Sequence, residues 1–428
     1  MSGKIGDNPY RASGVVAAAA GGGAVSWCTT AKTGAFCAES GAGYLVNTCS
    51  TAFTATLPGS PTIGDQIAFV DFAGTFDTNA LTLGANSLKI KGATCDAKVN
   101  AERGAVTIIY TGTTQGWITT AQANSGTMVQ EQFIAASGGN QPTATGCIVC
   151  TDYKIHKFTA TGPLCVSAAG NAGGSNILSY MVIGAGAGGA AARAGGGGAG
   201  GFREGNPPGT PYTASPLVAT TGLTASVADY TITIGSGGAG RCSPPGGPGS
   251  SGTASVFSTI TSAGGGSGGW DGCMPGSDGG SGGGEGENST GPGCNFGAGN
   301  VPPTSPPQGQ PGGKGAGTTP GYGGGGGGGA GQAGQNASTN LGGTGGDGAA
   351  TSIDGAATTR AGGGGGNASE SGTGGPGGTG GGGDGGDGTA TVGGAGAINT
   401  GSGGGAGSGS GNGGLGGTGV VVIRYKFQ

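Results

Sequence analysis

The chain has 428 residues, of which 116 are glycine and only 8% are charged, and its formal net charge is −4 at pH 7. Disordered chains usually combine low hydrophobicity with a high net charge, and the second condition is not met here. The sixteen Lys and Arg are scattered among twenty acidic residues, which argues against a nucleic-acid-binding surface. No apolar run is long enough for a transmembrane helix, so we expect no membrane insertion.

The amino-terminal segment, residues 1–24, is interpreted as an extended attachment tether. Asp7, Pro9 and Arg11 fall where the apolar core of a secretion signal should lie. Without such a signal, we expect the ten cysteines to be made as thiols in a reducing compartment. Their spacing leaves later oxidation open.

Residues 25–122 are predicted to form a compact β domain. Segments rich in β-branched and aromatic residues alternate with turn sequences such as PGSPTIGD and LGANS. The candidate strands are Tyr44–Thr48, Phe53–Leu57, Gln66–Phe72, Leu81–Leu83, Ser87–Ile90, Val106–Tyr110 and Trp117–Thr120. Short strands at this spacing predict a small antiparallel sandwich or barrel. Because no amphipathic helix of useful length appears, we expect a mostly β chain with essentially no α-helix.

Residues 123–183 are predicted to form a connecting β segment, with strands in YKIHKFTA and ILSYMVI. Two further strands, Tyr230–Ile234 and Val420–Tyr425, lie inside or beyond the glycine-rich part of the chain. Ile183 and Ile234 each lead directly into a glycine run, and Val420 directly follows a glycine run. We therefore expect a small sheet from which glycine segments project, closed by the carboxy-terminal strand.

Residues 184–428 form a glycine-rich domain, with glycine at 91 of the last 245 positions against 25 of the first 183. No strict Gly-X-Y period is present, which excludes a collagen triple helix. The runs are Gly184–Gly201, Gly264–Gly269, Gly279–Gly286, Gly323–Gly331, Gly342–Gly348, Gly362–Gly366, Gly374–Gly388 and Gly401–Gly419. Chemically different segments rich in Pro, Asn and aromatic residues separate them and are expected to be variable surface loops.

Two structures are compatible with these runs. An isolated glycine run is usually a flexible linker, because it has no side chain to bury and loses much backbone entropy on ordering. Alternatively, extended helices with three residues per turn pack side by side and exchange N–H···O=C hydrogen bonds, which satisfies their buried backbone groups. We favour this ordered polyglycine-II bundle, because the runs are anchored at both ends by apolar strands.

Several segments resemble proteins of tailed phages. The amino-terminal modules of tail-fibre and other structural proteins of marine phages are similar to MSGKIGDNPYRASGV, GYLVNTCSTAFTATLPGSPTIGDQIAFVDFAGTFDTNALTL and GAVTIIYTGTTQGWITT. A glycine-rich domain that recurs in those fibres is similar to DYKIHKFTATGPLCVSAAGNAGGSNILSYMVIGAGAGG, the glycine runs and the final GGTGVVVIRY. The alternation of runs and unlike loops resembles the distal adhesins of T-even-like phages, which pack polyglycine helices in layers.

The resemblance implies a non-enzymatic virion fibre protein, assembled in the host cytoplasm and exposed outside the cell. It implies a homotrimer that contacts other virion proteins through its amino-terminal region and a host receptor, a glycan or an outer-membrane protein, through its glycine-rich loops. Two other classes stay open. One is a purely structural fibre, capsid or filament protein without receptor recognition, and the other is a calcium-loaded secreted adhesin.

The aromatic residues of the glycine-rich loops are the candidate receptor contacts. Exposed aromatic side chains stack on sugars or anchor protein interfaces. The candidates are Phe202, Tyr212, Trp270, Phe296 and Tyr322. The alternative is that each packs locally over a glycine surface.

A dinucleotide-binding motif, G-x-G-x-x-G, is formed by Gly184, Gly186 and Gly189 after an apolar strand, and Glu204 follows. A cofactor site needs a helix after these glycines, with its amino terminus facing the pyrophosphate. The sequence AAARAGGGGAGGF offers no amphipathic face, so we expect no cofactor.

Metal sites and catalysis are also weakly supported. GGTGGDGAA and GGDGGDGTA begin like calcium-binding nonapeptides but lack the large apolar residue, so Asp347, Asp384 and Asp387 are interpreted as solubilising carboxylates. Cys147, Cys150, His156 and Cys165 are a possible zinc set. We favour structural thiols or a disulfide there, with His156 as a half-buried strand residue. The acids are few and dispersed and the chain has one histidine, so we expect no enzyme.

Overall fold

The computed structural model describes residues 25–123, 128–141, 143–271, 274–287, 295–318, 321–369 and 371–428. Strands make up 31% of the structure and no helix occurs in these ranges, which confirms the mostly β prediction. The same residues accordingly contain no helix long and apolar enough to cross a bilayer. The chain divides into two compact units: the first extends to Gln132 and includes Gly170–Ser175, and the second comprises Phe133–Ala169 and Asn176–Gln428.

The first unit contains ten described strands in two sheets. They are β1 Ser26–Trp27, β2 Phe36–Cys37, β3 Ala42–Val46, β4 Phe53–Thr56, β5 Gln66–Asp71, β6 Leu81–Gly84, β7 Ala97–Val99, β8 Ala105–Tyr110, β9 Trp117–Ala123 and β10 Met128–Gln130. One sheet has the order β1-β3-β5-β8-β9 and the other β10-β7-β6-β4-β2. A single apolar core joins strands of both sheets and includes Phe69, Leu83, Ile108 and Trp117, each 0% exposed.

The antiparallel prediction for this unit is wrong for its first six strands. The β1–β3, β3–β5, β2–β4 and β4–β6 pairs are all parallel, and the sheets form no closed barrel. Successive strands alternate between the two sheets, so each strand serves as the crossover that a parallel neighbour requires. Alternating hydrophobicity predicts which side chains face the core, whereas it does not predict which strand lies next in the sheet.

One predicted strand of this unit is absent, and four observed strands, β1, β2, β7 and β10, have no predicted counterpart. Ser87–Ile90 is a turn that ends in an isolated bridge, because Asn86 and Ser87 have positive φ angles of 51° and 66°. Ile90 is nevertheless fully buried in the core. The strand of this part of the sheet is instead β7, whose Ala97 and Val99 point into the core.

The second unit contains the remaining strands. They are β11 Ile134–Gly138, β12 Cys147–Val149, β13 Tyr153–Phe158, β14 Gly162–Ala169, β15 Ile177–Ile183, β16 Phe202–Gly205, β17 Val218–Ala219, β18 Leu223–Thr224, β19 Ala228–Thr233, β20 Ser255–Phe257, β21 Ile260–Ser262, β22 Ala316–Thr318, β23 Gly321–Gly323, β24 Ala349–Thr351, β25 Thr358–Arg360 and β26 Val420–Lys426. They form the sheets β11-β14-β19-β20-β21 and β12-β13-β26-β15-β16-β17, with β18 beside β15, and the hairpins β22–β23 and β24–β25.

The carboxy-terminal strand β26 lies at the centre of this unit. It pairs antiparallel with β13 on one side and β15 on the other, and six of its seven residues are buried. Its side chains contribute to two apolar clusters, one with Phe158 and Tyr180 and one with Met181 and Phe202. It thus joins β13 and β15 into one sheet, and glycine threads begin after β15 at Gly184 and end before β26 at Gly419.

The glycine-rich segments run as extended threads that bond one another with a three-residue repeat. From Gly184 to Gly189, successive N–H groups donate to three different neighbours in turn, at 2.9–3.0 Å. The acceptors, in order, are the carbonyls of Gly201, Thr253, Gly417, Gly198, Ser250 and Gly414. This is the repeat expected of an extended helix with three residues per turn.

The carbonyls of the same thread accept hydrogen bonds from three further threads. Ala185 accepts from Gly265, Gly186 from Gly238 and Ala187 from Gly404, each at 2.9 Å. The thread therefore has six neighbours and is fully buried among them. The predicted ordered bundle, with sideways N–H···O=C bonds between glycine threads, is confirmed.

The close packing of threads explains why the bundle requires glycine. A Cβ atom added at Gly186 would lie 1.9 Å from the carbonyl oxygen of Ser402, and one at Gly364 would lie 2.1 Å from that of Gly404. Backbone atoms of a neighbouring thread cannot move aside as a flexible side chain can. Such positions accept only glycine, and the side chains that are buried within the threads, such as those of Ala185 and Ala187, are small.

The bundle has two chemically different ends. The first thread leaves β15 at Gly184 and reverses at Ala192–Arg193, two residues with positive φ angles of 62° and 60°, and the next thread returns to β16. We call the end that carries this reversal the turn end, and the opposite one the sheet end. The N–H of Glu287 donates to the carbonyl of Arg193 and that of Ala192 to Gly407, so further threads finish at the turn end.

Candidate binding surface at the turn end

The five candidate aromatic residues divide between the two ends of the bundle. Phe202 begins β16 at the sheet end, is 1% exposed and packs with Met181, Ile183 and Val420. The prediction that Phe202 lies in an exposed loop is therefore wrong. It occupies the first position after a glycine thread, where β16 pairs with β15, so the core is available to it after all.

Tyr212 also lies at the sheet end, in a half-buried polar cluster. The Arg424 guanidinium lies 5.1 Å from its ring centre and 4.9 Å from that of Tyr153. Burial, followed by the nearby Glu204 carboxylate, raises the pKa of Tyr212. Glu204 accepts hydrogen bonds from the N–H of Ser215 at 2.9 Å and the hydroxyl of Thr351 at 2.6 Å. These contacts join the sheet to the β24–β25 hairpin, and Tyr212 is part of that junction.

Tyr322 lies at the turn end, where it contacts Arg193. The Arg193 side chain is 52% exposed, and its guanidinium carbon lies 5.8 Å from the Tyr322 ring centre. Its Nη1 atom lies 3.4 Å from Oδ2 of Asp271, the residue that follows Trp270. The turn that reverses the first thread thus presents a cation between an aromatic ring and a carboxylate.

Trp270 forms the adjacent turn. Its backbone exchanges hydrogen bonds with Met274, at 3.1 and 3.2 Å, and the Met274 side chain is 46% exposed. The Trp270 side chain is half-buried, and its indole N–H has no acceptor among the residues that the structure describes. That nitrogen is itself buried, so the part of Trp270 that a partner can contact is the exposed, apolar part of its ring.

Glu287 is a buried carboxylate that links threads at the turn end by hydrogen bonds. It is 0% exposed and accepts hydrogen bonds from the Asn367 amide at 2.9 Å and the Ser369 hydroxyl at 2.5 and 2.7 Å. Burial raises the pKa of the Glu287 carboxyl. The N–H of Ser369 donates to the carbonyl of Tyr322, so the same contacts hold Tyr322 in place.

Phe296 lies in a cleft on the side of the bundle. The cleft has a volume of about 730 Å³ and extends across three threads, residues 275–280, 295–299 and 309–313. Its side chains come from the outer surface of all three threads. They are Pro275, Ser277, Asp278, Asn295, Phe296 and Pro311.

Arg193, Asp271 and Glu287 are turn-end residues that the sequence reasoning missed. The candidates from the sequence are aromatic side chains alone, and the charged residues are few and dispersed along the chain. One signal was available: Arg193 interrupts a stretch that otherwise consists of glycine and alanine from Gly184 to Gly201. A charged side chain does not fit among close-packed threads, so Arg193 indicates where the chain reaches the surface and reverses.

The glycines of the apparent dinucleotide motif are structural. The N–H groups of Gly184, Gly186 and Gly189 all donate to neighbouring threads, so they are not free to hold a phosphate. No helix follows them in the described chain. Glu204, the residue at the ribose-binding spacing, is 2% exposed at the sheet end.

The carboxylates of the two calcium-like sequences act as caps for threads at the edge of the bundle. Asp347, Asp384 and Asp387 accept the N–H groups of Thr379, Gly377 and Gly374, at 2.8, 2.7 and 2.6 Å. These donors would otherwise face solvent unpaired. Among the described residues, no three His, Cys, Asp or Glu side chains lie close enough to hold a metal ion.

The possible zinc set is not assembled. His156 is fully buried, and its two ring nitrogens lie 2.7 Å from the carbonyl of Gly138 and 3.0 Å from the hydroxyl of Tyr425. Cys147 lies on β12 and Cys165 on β14, which belong to different sheets. The eight cysteines that the structure describes are free thiols.

Comparison with known families agrees with the glycine-rich architecture. A family model described as a glycine-rich domain matches residues 159–426. The chain belongs to this glycine-rich domain family. The match begins at the end of β13 and includes every thread of the bundle and β26. No curated protein matches the chain.

Proposed function

We propose that the chain is a phage virion fibre protein, a tail fibre or adhesin, whose glycine-rich domain presents its turn end to a receptor on the host cell. The first unit and the segment before it attach the fibre to other virion proteins. The protein acts as a homotrimer, on the virion and outside the cell, and performs no catalysis.

The observation that carries this proposal is the unequal distribution of side chains over the bundle. Its interior consists largely of backbone at contact distance, with few side chains larger than those of alanine and serine. Aromatic, cationic and acidic groups that reach the surface lie together at the turn end, around Arg193, Trp270 and Tyr322, whereas Arg424 and Glu204 at the sheet end are buried. A rigid support that exposes varied side chains is suited to recognition, because little ordering entropy is lost on binding.

The rival class, a filament without recognition, is less consistent with these turns. A shaft that only bears load has no need for turns that differ in length and chemistry. Two turns of this end differ in kind. One is the two-residue reversal at Ala192–Arg193, and the other is the β22–β23 hairpin, which carries Tyr322. Many weak contacts of this kind give useful avidity when several copies bind one cell.

Adsorption of particles that carry the double variant Trp270→Ala, Tyr322→Ala tests the proposal. Loss of anchor aromatics at an interface commonly costs more than 1 kcal/mol each, so we expect an adsorption rate lower by about tenfold or more. Val227→Ala is the matched control, since Val227 is a 67% exposed apolar residue of the second unit, between β18 and β19 and outside the turn end. The control should adsorb normally.

Particle assembly must be compared in the same experiment. Intact particles with normal adsorption for the double variant would contradict a receptor-binding role for the turn end. Immunogold labelling of the particle with antibodies against this chain tests the virion assignment separately. Absence of label from purified infectious particles would overturn it.

A further inference from the structure

We infer that the cleft around Phe296 binds a neutral oligosaccharide. This rests on the proposed receptor-binding function and names the chemical class that one part of the surface recognises.

The floor of the cleft is made of hydrogen-bonded threads. The N–H groups of Gly276 and Gly279 donate to the carbonyls of Asn295 and Ala298, at 3.0 and 3.1 Å, and that of Gly312 donates to Gly297 at 3.1 Å. The middle thread, residues 295–299, is thus bonded on both sides. A floor of this kind does not need to be ordered when a ligand arrives, which lowers the entropic cost of binding.

The three-residue repeat places side chains of neighbouring threads on one outer surface. Pro275 and Asp278 are three residues apart on the first thread, so they lie on the same side of it. Phe296 projects from the middle thread and Pro311 from the third, and all four line the cleft. The cleft is therefore lined by one aromatic ring, two proline rings and a carboxylate.

The polar groups match the hydroxyl groups of a sugar. Oδ1 of Asp278 accepts the N–H of Ala298 at 2.7 Å, which holds the carboxylate in place, and a carboxylate retains further acceptor capacity. The Asn295 amide adds donors and an acceptor. The Ser277 hydroxyl lies 2.9 Å from that of Ser267 and retains acceptor capacity. Phe296 offers an apolar face on which the C–H side of a pyranose ring can stack.

The charge of the cleft selects among saccharides. The described residues that line it include one carboxylate and no lysine, arginine or histidine. A uronate, sialic acid or phosphorylated sugar would place like charges together, which is unfavourable without a compensating cation. The volume of about 730 Å³ lies within the range of small-molecule sites and accommodates more than one sugar ring.

Saturation-transfer NMR on the purified full-length chain, with panels of neutral and acidic oligosaccharides, tests this inference. We expect transfer to at least one neutral hexose oligosaccharide and none to the acidic ones. Phe296→Ala should weaken binding at least tenfold, whereas Phe296→Trp should preserve it because the stacking surface is kept. Val227→Ala should bind as the unsubstituted chain does, and thermal unfolding of each variant checks its fold.

The outcomes separate this inference from the proposed function. Absence of neutral sugar binding, equal binding by the Phe296→Ala chain, or a preference for acidic sugars would overturn the glycan inference. If Phe296→Ala nevertheless slows particle adsorption, the receptor-binding function stands and the receptor has another chemistry, such as a protein. Sugar binding without any effect of turn-end or cleft variants on adsorption would instead contradict the function and leave the glycan site in place.

Discussion

His156 and Tyr425 are 269 residues apart in the chain, yet their rings stack with centres 5.7 Å apart and the imidazole Nε2 lies 3.0 Å from the phenol oxygen. Nδ1 of His156 lies 2.7 Å from the carbonyl of Gly138, which can only accept. A neutral imidazole has one N–H, so Nδ1 donates to Gly138 and Nε2 accepts from Tyr425. The pair joins β13 to β26, and burial of the imidazole favours its neutral form.

The stability of the second unit should therefore fall in mild acid. Burial lowers the pKa of His156 below its ordinary value of about 6.5. Below that pH the unfolded chain binds a proton that the folded chain binds less readily, so the free energy of unfolding decreases as pH falls. Well above about pH 6.5, His156 is neutral in both the folded and the unfolded chain, so its protonation takes nothing from the free energy of unfolding. Thermal unfolding between about pH 7.5 and pH 5 measures the effect.

A direct titration provides the control for this prediction. His156 is the only histidine of the chain, so its imidazole gives a single set of NMR signals. A His156→Gln chain should lose most of the pH dependence over the same range. A native pKa at or above about 6.5 would contradict the buried neutral assignment.

Gly364→Ala should destabilise the bundle strongly. The new Cβ would lie 2.1 Å from the carbonyl oxygen of Gly404, on a neighbouring thread whose backbone is held by its own hydrogen bonds. Overpacking of this kind typically costs about 1–3 kcal/mol. Gly162→Ala is the matched control, because no atom lies within 4 Å of the position its Cβ would take. Similar unfolding midpoints for the two variants would contradict the close packing of threads.

Deletion of residues 420–428 should abolish folding of the glycine-rich domain. The deletion removes β26, which pairs with β13 on one side and β15 on the other and contributes side chains to two apolar clusters. We expect loss of soluble protein, or rapid proteolysis of the domain, while the first unit stays resistant because it has its own core. Unchanged solubility and thermal stability would show that β26 does not close the sheet.

Chelation of divalent cations should leave the thermal stability unchanged. Asp347, Asp384 and Asp387 hold backbone N–H groups of edge threads, which is a role that needs no metal. Asp347→Ala should cost about 1 kcal/mol, the usual value of a hydrogen bond lost near the surface. A fall in the unfolding temperature with a chelator, restored by calcium, would instead support the calcium-loaded adhesin class.

Much of the second unit was predictable from local patterns. β13, β15, β19 and β26 are apolar or alternating segments beside glycine runs, and each occurs at or within two residues of its predicted bounds. The bundle was predictable because glycine threads that are tied to strands at both ends must satisfy their backbone groups somewhere. The sequence does not predict which threads bond to each other, because all glycine runs present the same backbone groups.

The candidate surface was less predictable than the fold. Whether an aromatic residue beside a glycine run is exposed depends on which end of the thread it occupies. Phe202 follows a thread that returns to the sheet and is buried, whereas Tyr322 precedes a thread that begins at the turn end. The direction of a thread depends on the path of the whole chain through the bundle. A single glycine run does not show towards which end it runs. For the same reason the contact of Arg193 with Asp271 has no signature in the sequence.

Hydrogen–deuterium exchange of the native protein measures the central claim, that the glycine threads form a rigid hydrogen-bonded bundle. Amides between Gly323 and Gly419 that donate to neighbouring threads, such as those of Gly327 and Gly364, should exchange at least about a thousandfold more slowly than in an unfolded chain. Exchange of these glycine amides at unfolded-chain rates would contradict the bundle, and the binding surfaces built on it would have no fixed support.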